Sequence, residues 1–203
     1  QQDNAGIFVD HEWRLGSWHL GVGFRFDYIS QKANGATRHH SAPSGSLRLD
    51  RQLSPNWSVH ANVGSGFRFP TLSELYYRGI TARGAIEGNP ALSRERSRAA
   101  EVGLVGVIGA VTVSMNAYRT EITDYIERFT VDGDLLSYRN LGEGTIRGYE
   151  FTLDFRPSSA WQHRLSYQHQ SGHESVTGDV LADLNPPGWR YLGKYRNAAF
   201  SAA

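Results

Sequence analysis

From Trp18 to Tyr28 the chain alternates without a break. Trp18, Leu20, Val22, Phe24, Phe26 and Tyr28 occupy the even positions, and His19, Gly21, Gly23, Arg25 and Asp27 the odd ones. A side-chain period of two puts one set on each face of an extended strand, so this segment separates an apolar face from a polar one. Eleven residues at ~3.4 Å each, tilted by about 40°, cover close to the ~25 Å apolar band of a membrane-spanning barrel strand. Residues 5–15 repeat the pattern, with Ala5, Ile7, Val9, Trp13 and Leu15 set against Gly6, Asp10, Glu12 and Arg14. His11 and Phe8 are the exceptions, one on each face.

Strand patterns continue over residues 44–53, 57–66, 96–106, 110–129, 137–155, 161–170 and 188–197, which makes about nine strands and almost no helix. The one helical signal lies in a connection. At Pro70-Thr71-Leu72-Ser73-Glu74-Leu75, Thr71 and Glu74 have capping-box spacing. The connections alternate in length. Short turns fall at Leu15-Gly16-Ser17, Ser54-Pro55-Asn56, Gly106–Ala110 and Arg156–Ala160, and longer loops at 29–42, 67–95, 130–136 and 171–187. Transmembrane β-barrels have this asymmetry, with short periplasmic turns and long extracellular loops.

Trp13, Trp18, Trp57 and Trp161 lie within a few residues of a short turn, whereas Tyr28, Phe67 and Trp189 lie at the opposite strand ends. Indole rings favour the membrane interface, so these positions mark two aromatic girdles. The expected fold is all-β: an antiparallel, up-and-down transmembrane barrel wall. Arg25, Asp27, His60, Asn62, Glu150 and Asp154 are placed on its polar lumen face. A soluble β-sandwich or barrel is the competing architecture, and predicts loops of similar length at both ends and no girdle.

Val102–Tyr118 carries no charge and imitates a transmembrane helix. It is short of the ~20 residues such a helix needs, and Val111–Ala117 alternates strictly, so two strands joined at Gly106–Ala110 fit better.

Composition removes several functions. A net charge of +1 leaves no electrostatic footprint for nucleic acid, and the absence of cysteine excludes disulfides, thiolate catalysis and Cys-ligated metals. His39-His40 in the first long loop, and His169 and His173 on a strand end flanking the last one, lack a supporting ligand set and read as solvated histidines, and Asp132-Gly133-Asp134 reads as a turn. Gly64-Ser65-Gly66 lacks the strand–turn–helix setting of a nucleophile elbow, and Gly21-Val22-Gly23 lies mid-strand with no helix to bind a dinucleotide. No catalytic residue, metal site or cofactor is implied.

Three segments carry a family resemblance. Ser65-Gly66-Phe67-Arg68-Phe69-Pro70-Thr71-Leu72-Ser73-Glu74-Leu75-Tyr76 is followed by Gly88-Asn89-Pro90-Ala91-Leu92 with Glu95-Arg96-Ser97. Then come Tyr138-Arg139-Asn140-Leu141-Gly142 and Ile146-Arg147-Gly148-Tyr149-Glu150. In order and spacing they resemble segments in the downstream barrel of TonB-dependent outer-membrane receptors. Arg94 departs from the pattern, standing where the family has Pro. Read physically, Gly64 and Gly66 mark a bend or close approach, Pro70 ends regular pairing, and Asn89-Pro90 is a turn. Arg68 is placed at the lumen mouth, fixing the start of a long loop or touching ligand, and Asn140, Gly148 and Glu150 are placed in the lumen wall.

The resemblance implies a Gram-negative outer-membrane receptor that imports a scarce ligand, most often a ferric siderophore, with vitamin B12, other metal chelates or glycans as alternatives. It also implies energy coupling through the TonB–ExbB–ExbD complex and a monomeric barrel when complete. Arg68, Tyr76, Tyr77 and Arg78 are the candidate contacts for a small-molecule chelate. A passive porin or structural barrel remains the alternative function. Nothing in residues 1–203 resembles the plug domain or TonB box of such receptors. At about 23 residues per strand and connection, a 22-stranded barrel needs roughly 500 residues. Residues 1–203 are therefore expected to form a partial wall of about two-fifths of a barrel, cut at Phe200–Ala203.

Overall fold

The computed structural model describes residues 1–33, 35–81, 84–175 and 188–195. Four strands open the chain: β1 (Gln2–Leu15), β2 (Trp18–Ala33), β3 (Ala36–Ser54) and β4 (Trp57–Arg68). A long excursion follows, holding α1 (Leu72–Tyr76), β5 (Arg78–Thr81) and β6 (Gly84–Glu87). The chain returns in β7 (Glu95–Ile108) and β8 (Val111–Thr123), leaves again in β9 (Ile126–Asp132) and β10 (Leu135–Asn140), and ends in β11 (Glu143–Phe155), β12 (Trp161–Glu174) and β13 (Gly188–Tyr195).

Two sheets result. The wall holds nine strands in the order β1-β2-β3-β4-β7-β8-β11-β12-β13, every pair antiparallel and the sheet open at β1 and β13. The expectation of a partial barrel wall of nine strands holds. Both excursions, β5-β6 and β9-β10, join in a second sheet of order β5-β6-β10-β9.

Register fixes the faces. Val22 stands opposite Leu47, Leu47 opposite Val63, Val63 opposite Ala100, and further down the wall Leu104 faces Met115 and Met115 faces Phe151. Because side chains alternate, these pairs place one apolar row outward across neighbouring strands. Large apolar groups of that parity, among them Ile7, Trp18, Phe24, Leu47, Val102 and Trp161, are exposed, as lipid-facing residues are without their lipid. The opposite parity carries Arg25–Asp27, Arg48–Asp50, His60–Glu101 and Arg164–Asp154 pairs along the lumen face. Three short turns tighten to two residues, with Gly16 and Gly109 at φ of 61° and 57°, where only glycine is unstrained.

Three sequence expectations are corrected. Residues 29–42 are not a loop: β2 and β3 continue as a hairpin to Ala33 and Ala36, turning at Gly35 with φ 79°. Ile29, Gln31 and Ala42 on this extension are buried, so packing under the excursion stabilises strand there, and His39 and His40 lie in β3. The strand expected over 110–129 breaks at Asp124, whose φ of 58° turns the chain off the wall, and the strand expected over 137–155 breaks at Leu141–Gly142. The loop expected at 130–136 is thus the tip of a hairpin within a longer excursion. Last, β12 runs to Glu174, past the expected strand end at 170, while residues 176–187 of the expected loop lie outside the described residues.

Candidate ligand-capture platform

The second sheet sits at the lumen mouth, and a few polar contacts hold it there. Arg68, the last residue of β4, donates from Nε and Nη2 to Glu95 Oε2 and Oε1, both at 2.7 Å. Its Nη1 donates to both Glu74 oxygens at 3.0 and 2.9 Å. Glu95 Oε1 also accepts from the Ile126 N–H at 2.8 Å. One guanidinium therefore ties two wall strands to α1, and its first partner ties them to the start of β9.

Local sequence chemistry places these groups. Thr71 caps α1, its Oγ1 accepting from Glu74 N–H at 3.2 Å while Glu74 Oε2 accepts from Thr71 N–H at 2.8 Å, the capping box expected from the sequence. The Glu95 hydrogen bond raises the Arg68 pKa above its ordinary value, outweighing burial. Burial pushes the Glu74 carboxyl up, but the Arg68 bond and the Thr71 N–H bring it below the usual carboxylate range.

Two asparagines complete the tie. Asn89 Nδ2 donates to Tyr138 O at 2.9 Å, and its Oδ1 accepts from Ala91 N–H at 2.9 Å. Asn140 Nδ2 donates to Asp124 O at 2.6 Å and Ser93 O at 3.1 Å, and its Oδ1 accepts from Ser93 N–H at 2.8 Å. Asn140 is therefore not a lumen-wall residue. It lies in β10, because the chain leaves the wall at Asp124, and it staples one excursion to the other. β6 and β10 then pair in parallel, Leu135 with Ala85 and Ser137 with Glu87. Leu75, Leu92 and Ile126 form the apolar core beneath, with Tyr76 and Tyr138 packed against it.

The extended β2–β3 hairpin braces the platform from the other side. Arg38 donates to Pro90 O at 2.6 Å and Leu92 O at 3.2 Å, and Gln31 Nε2 donates to Pro70 O at 2.8 Å. Arg94, standing where proline was expected, donates to Ser41 O, so a side-chain tether holds this part of the loop. Gly88 is required by contact: a Cβ there would lie 2.7 Å from the Leu75 carbonyl carbon and the Tyr76 nitrogen. Gly148 on β11 similarly lets Tyr118 cross and donate to Gln170 Oε1 at 3.0 Å.

The four candidate contacts divide in two. Arg68 has all its donor groups engaged by carboxylates, and Tyr76 packs on the core. Tyr77 follows α1 with 41% of its surface exposed, and Arg78 pairs with Glu87 at 2.6 Å while 78% of its side chain stays open. A shallow cavity of about 280 Å³ beside them is lined by Arg78, Ile80, Ile86, Glu87 and Leu135. Sequence reasoning gave Glu95 no role of its own, and it read Asn89 as a turn residue and Asn140 as a wall residue where the structure makes both of them ties between the excursions. The Gly-Asn-Pro turn and the Glu that opens β7 are the signals that mark them. No group of three or more His, Asp and Glu that could hold a metal occurs among the described residues.

An antiparallel wall with an apolar outer belt, a polar lumen face and a mouth partly covered by its own excursions defines a transmembrane β-barrel segment. The family model described as TonB dependent receptor-like, beta-barrel, matches residues 1–198, and the chain belongs to that family. It is 29% identical over 177 residues to the vitamin B12 transporter BtuB of Vibrio cholerae serotype O1, covering 86% of this chain and 26% of that protein. The chain thus spans about a quarter of the length of the curated relatives it matches. Among solved structures it is similar to the copper transporter OprC, with a TM-score of 0.79 and 21% identity over 96% of this chain and 32% of that one. The FrpB iron transporter from Neisseria meningitidis superposes with a TM-score of 0.71 at 17% identity, over 97% and 31% of the two chains.

Proposed function

We propose that this chain is a barrel segment of a Gram-negative outer-membrane, TonB-dependent transporter that imports a scarce ligand, with a ferric siderophore as the first candidate. The observation that carries the reading is the platform. Two separate excursions are fused by a parallel strand pair and clasped to the wall by Arg68, which gives a preorganised surface at the lumen mouth. Tyr77 and Arg78 offer an aromatic face and an open cation for an anionic chelate, while Arg68 and Tyr76 hold the surface in place. Relatives named as transporters of iron, copper and vitamin B12 support import over enzymatic chemistry. Energy coupling through TonB–ExbB–ExbD, and a plug domain and TonB box elsewhere in the same polypeptide, belong to this proposal.

Vitamin B12 is the second reading, favoured by the similarity to BtuB over most of the chain. Uptake by a receptor-deleted strain carrying the full-length gene tests both. Iron-55 delivered as a catecholate or hydroxamate chelate should accumulate only with intact TonB, and cobalt-57 B12 should not compete. Accumulation of B12 alone replaces the first ligand with the second. Free diffusion of small sugars in liposome swelling, independent of TonB, would make the protein a passive porin and end the proposal.

A further inference from the structure

One register row crosses the lumen face low in the wall. It runs through Asp50, His60, Gly103, Asn116 and Glu150, each directly opposite the next on the adjacent strands β3, β4, β7, β8 and β11. His60 lies three residues along β4 from Trp57 at the short turn, and Gly103 lies three residues along β7 from Gly106, the partner of Trp57. At ~2.6 Å of height per tilted residue the row sits ~8 Å above Trp57, in the periplasmic half of the ~25 Å band. Gly103 has no side chain, and its neighbours on both sides lean into the room this leaves. A Cβ there would lie 2.2 Å from Asn116 Oδ1 and 2.4 Å from His60 Nε2. The imidazole edge and the amide oxygen therefore meet over Gly103.

A third donor reaches the same place. His60 Nε2 lies 3.3 Å from Glu101 Oε1, longer than the ~2.7–2.9 Å of a charge-assisted hydrogen bond. Two donors that each bond one metal ion at ~2.1 Å stand ~3.0–3.4 Å apart, so the separation is that of neighbouring ligands. Asn116 Oδ1 is buried and accepts no hydrogen bond among the described residues. A buried acceptor left in that state is costly, and a cation beside it removes the cost. The charge balance agrees. Glu101 and Glu150 bring two carboxylates to this part of the wall, while the Arg48 guanidinium is committed to Asp50 by hydrogen bonds of 2.8 and 2.9 Å. Only His60 and Glu101 are of the imidazole or carboxylate kind, and the third donor is an amide oxygen. An imidazole in such a set favours first-row transition metals, whereas calcium and magnesium take oxygen alone.

We propose that His60 Nε2, Glu101 Oε1 and Asn116 Oδ1 bind a divalent first-row transition-metal ion, of the copper or zinc kind, on the lumen wall, with water completing its shell. The proposal rests on this face being the lumen of a barrel and is independent of which ligand the receptor imports. The neutral imidazole supplies a lone pair, the carboxylate supplies charge, and the amide oxygen gains the partner it lacks. Gly103 keeps the space between them open.

The test titrates copper(II) into the metal-stripped, full-length receptor in detergent and follows bound copper by electron paramagnetic resonance. Wild-type protein should bind at least one equivalent that zinc displaces and millimolar calcium does not. His60→Gln should lose one such equivalent. Glu101→Gln can still accept a hydrogen bond from His60, so a merely structural pair would keep its copper, whereas loss of a charged ligand should weaken binding roughly tenfold or more. Gly103→Ala leaves all three donors in the chain but fills the space between them, and should weaken binding as well. His163→Gln, opposite Phe155 on the outward face, should change nothing. Wild-type protein that binds no copper overturns the proposal without any variant, as does copper that survives His60→Gln undiminished or yields to calcium. Heat-modifiable migration on a gel separates the two readings: a folded barrel that fails these tests loses only this site, whereas failure to form a barrel removes the membrane reading as well.

Discussion

The wall and the platform are both β-sheets, but they are held together by different means. In the wall, nine strands are held by long, regular antiparallel ladders, and any one side chain adds little to the register. In the platform, four strands of four to seven residues rest on three buried apolar side chains, one guanidinium and two amides. Redundant order tolerates change, whereas order from few contacts fails when one is removed. The two regions should therefore respond very differently to single substitutions.

Leu75→Ala should have the largest effect. Leu75 is fully buried at the centre of the small core, and such a deletion costs about 3 kcal/mol in a site that cannot collapse. Hydrogen exchange on the full-length receptor should show protection lost over residues 71–94 and 126–140 and kept in β1–β4. Equal loss in the wall would show that the two regions are a single cooperative unit. Arg68→Ala comes next. It leaves the Glu74 and Glu95 carboxylates, 15% and 13% exposed, without their cation. Removing one partner of a fully buried pair costs more, but Arg68 is itself 41% exposed, so about 2 kcal/mol is expected, read as faster exchange at the Ile126 amide that Glu95 accepts. Thr71→Ala removes only the cap, worth about 1 kcal/mol, and should fray α1 while β9 and β10 keep their protection.

The same contrast explains what could be read from sequence. The alternation of Trp18–Tyr28 exposes the wall because each residue repeats the same statement about face, and a slip of one would invert every side chain. Even the capping box at Thr71 and Glu74 was legible, being a local spacing rule. The platform was not. That β6 pairs with β10 is a contact between residues some fifty positions apart, and neither segment announces its partner. The hairpin at Gly35 shows the intermediate case. Gly35 turns it with φ 79°, and strand outlasts the membrane there because Ile29, Gln31 and Ala42 are buried under a distant excursion. Arg68 is legible as the residue that opens a long loop, while its commitment to Glu95 depends on β4 and β7 being neighbours across the excursion.

The smallest effect should be the dependence of the platform on pH, which separates two contacts that mutation blurs together. His40, on the β3 extension, stacks on Phe69 at 5.6 Å. Burial lowers its pKa, helped by the positive charges of Arg38 and Arg94 and by His39. A histidine with a lowered folded pKa takes up its proton more readily when released, so its contribution is complete above the ordinary value of ~6.5 and is lost as pH falls below it. Glu74, also lowered, contributes fully above the ordinary carboxylate value of ~4.3 and loses that contribution as pH falls through its folded value. Platform exchange should therefore accelerate in two steps, first below about pH 6.5 and again below about pH 4.3, with the wall flat through the first. His40→Asn should remove the upper step and leave the lower, and Glu74→Gln the reverse. A single step shared by wall and platform would mean that protons act on the barrel as a whole, and the division between redundant and contact-limited order would not hold.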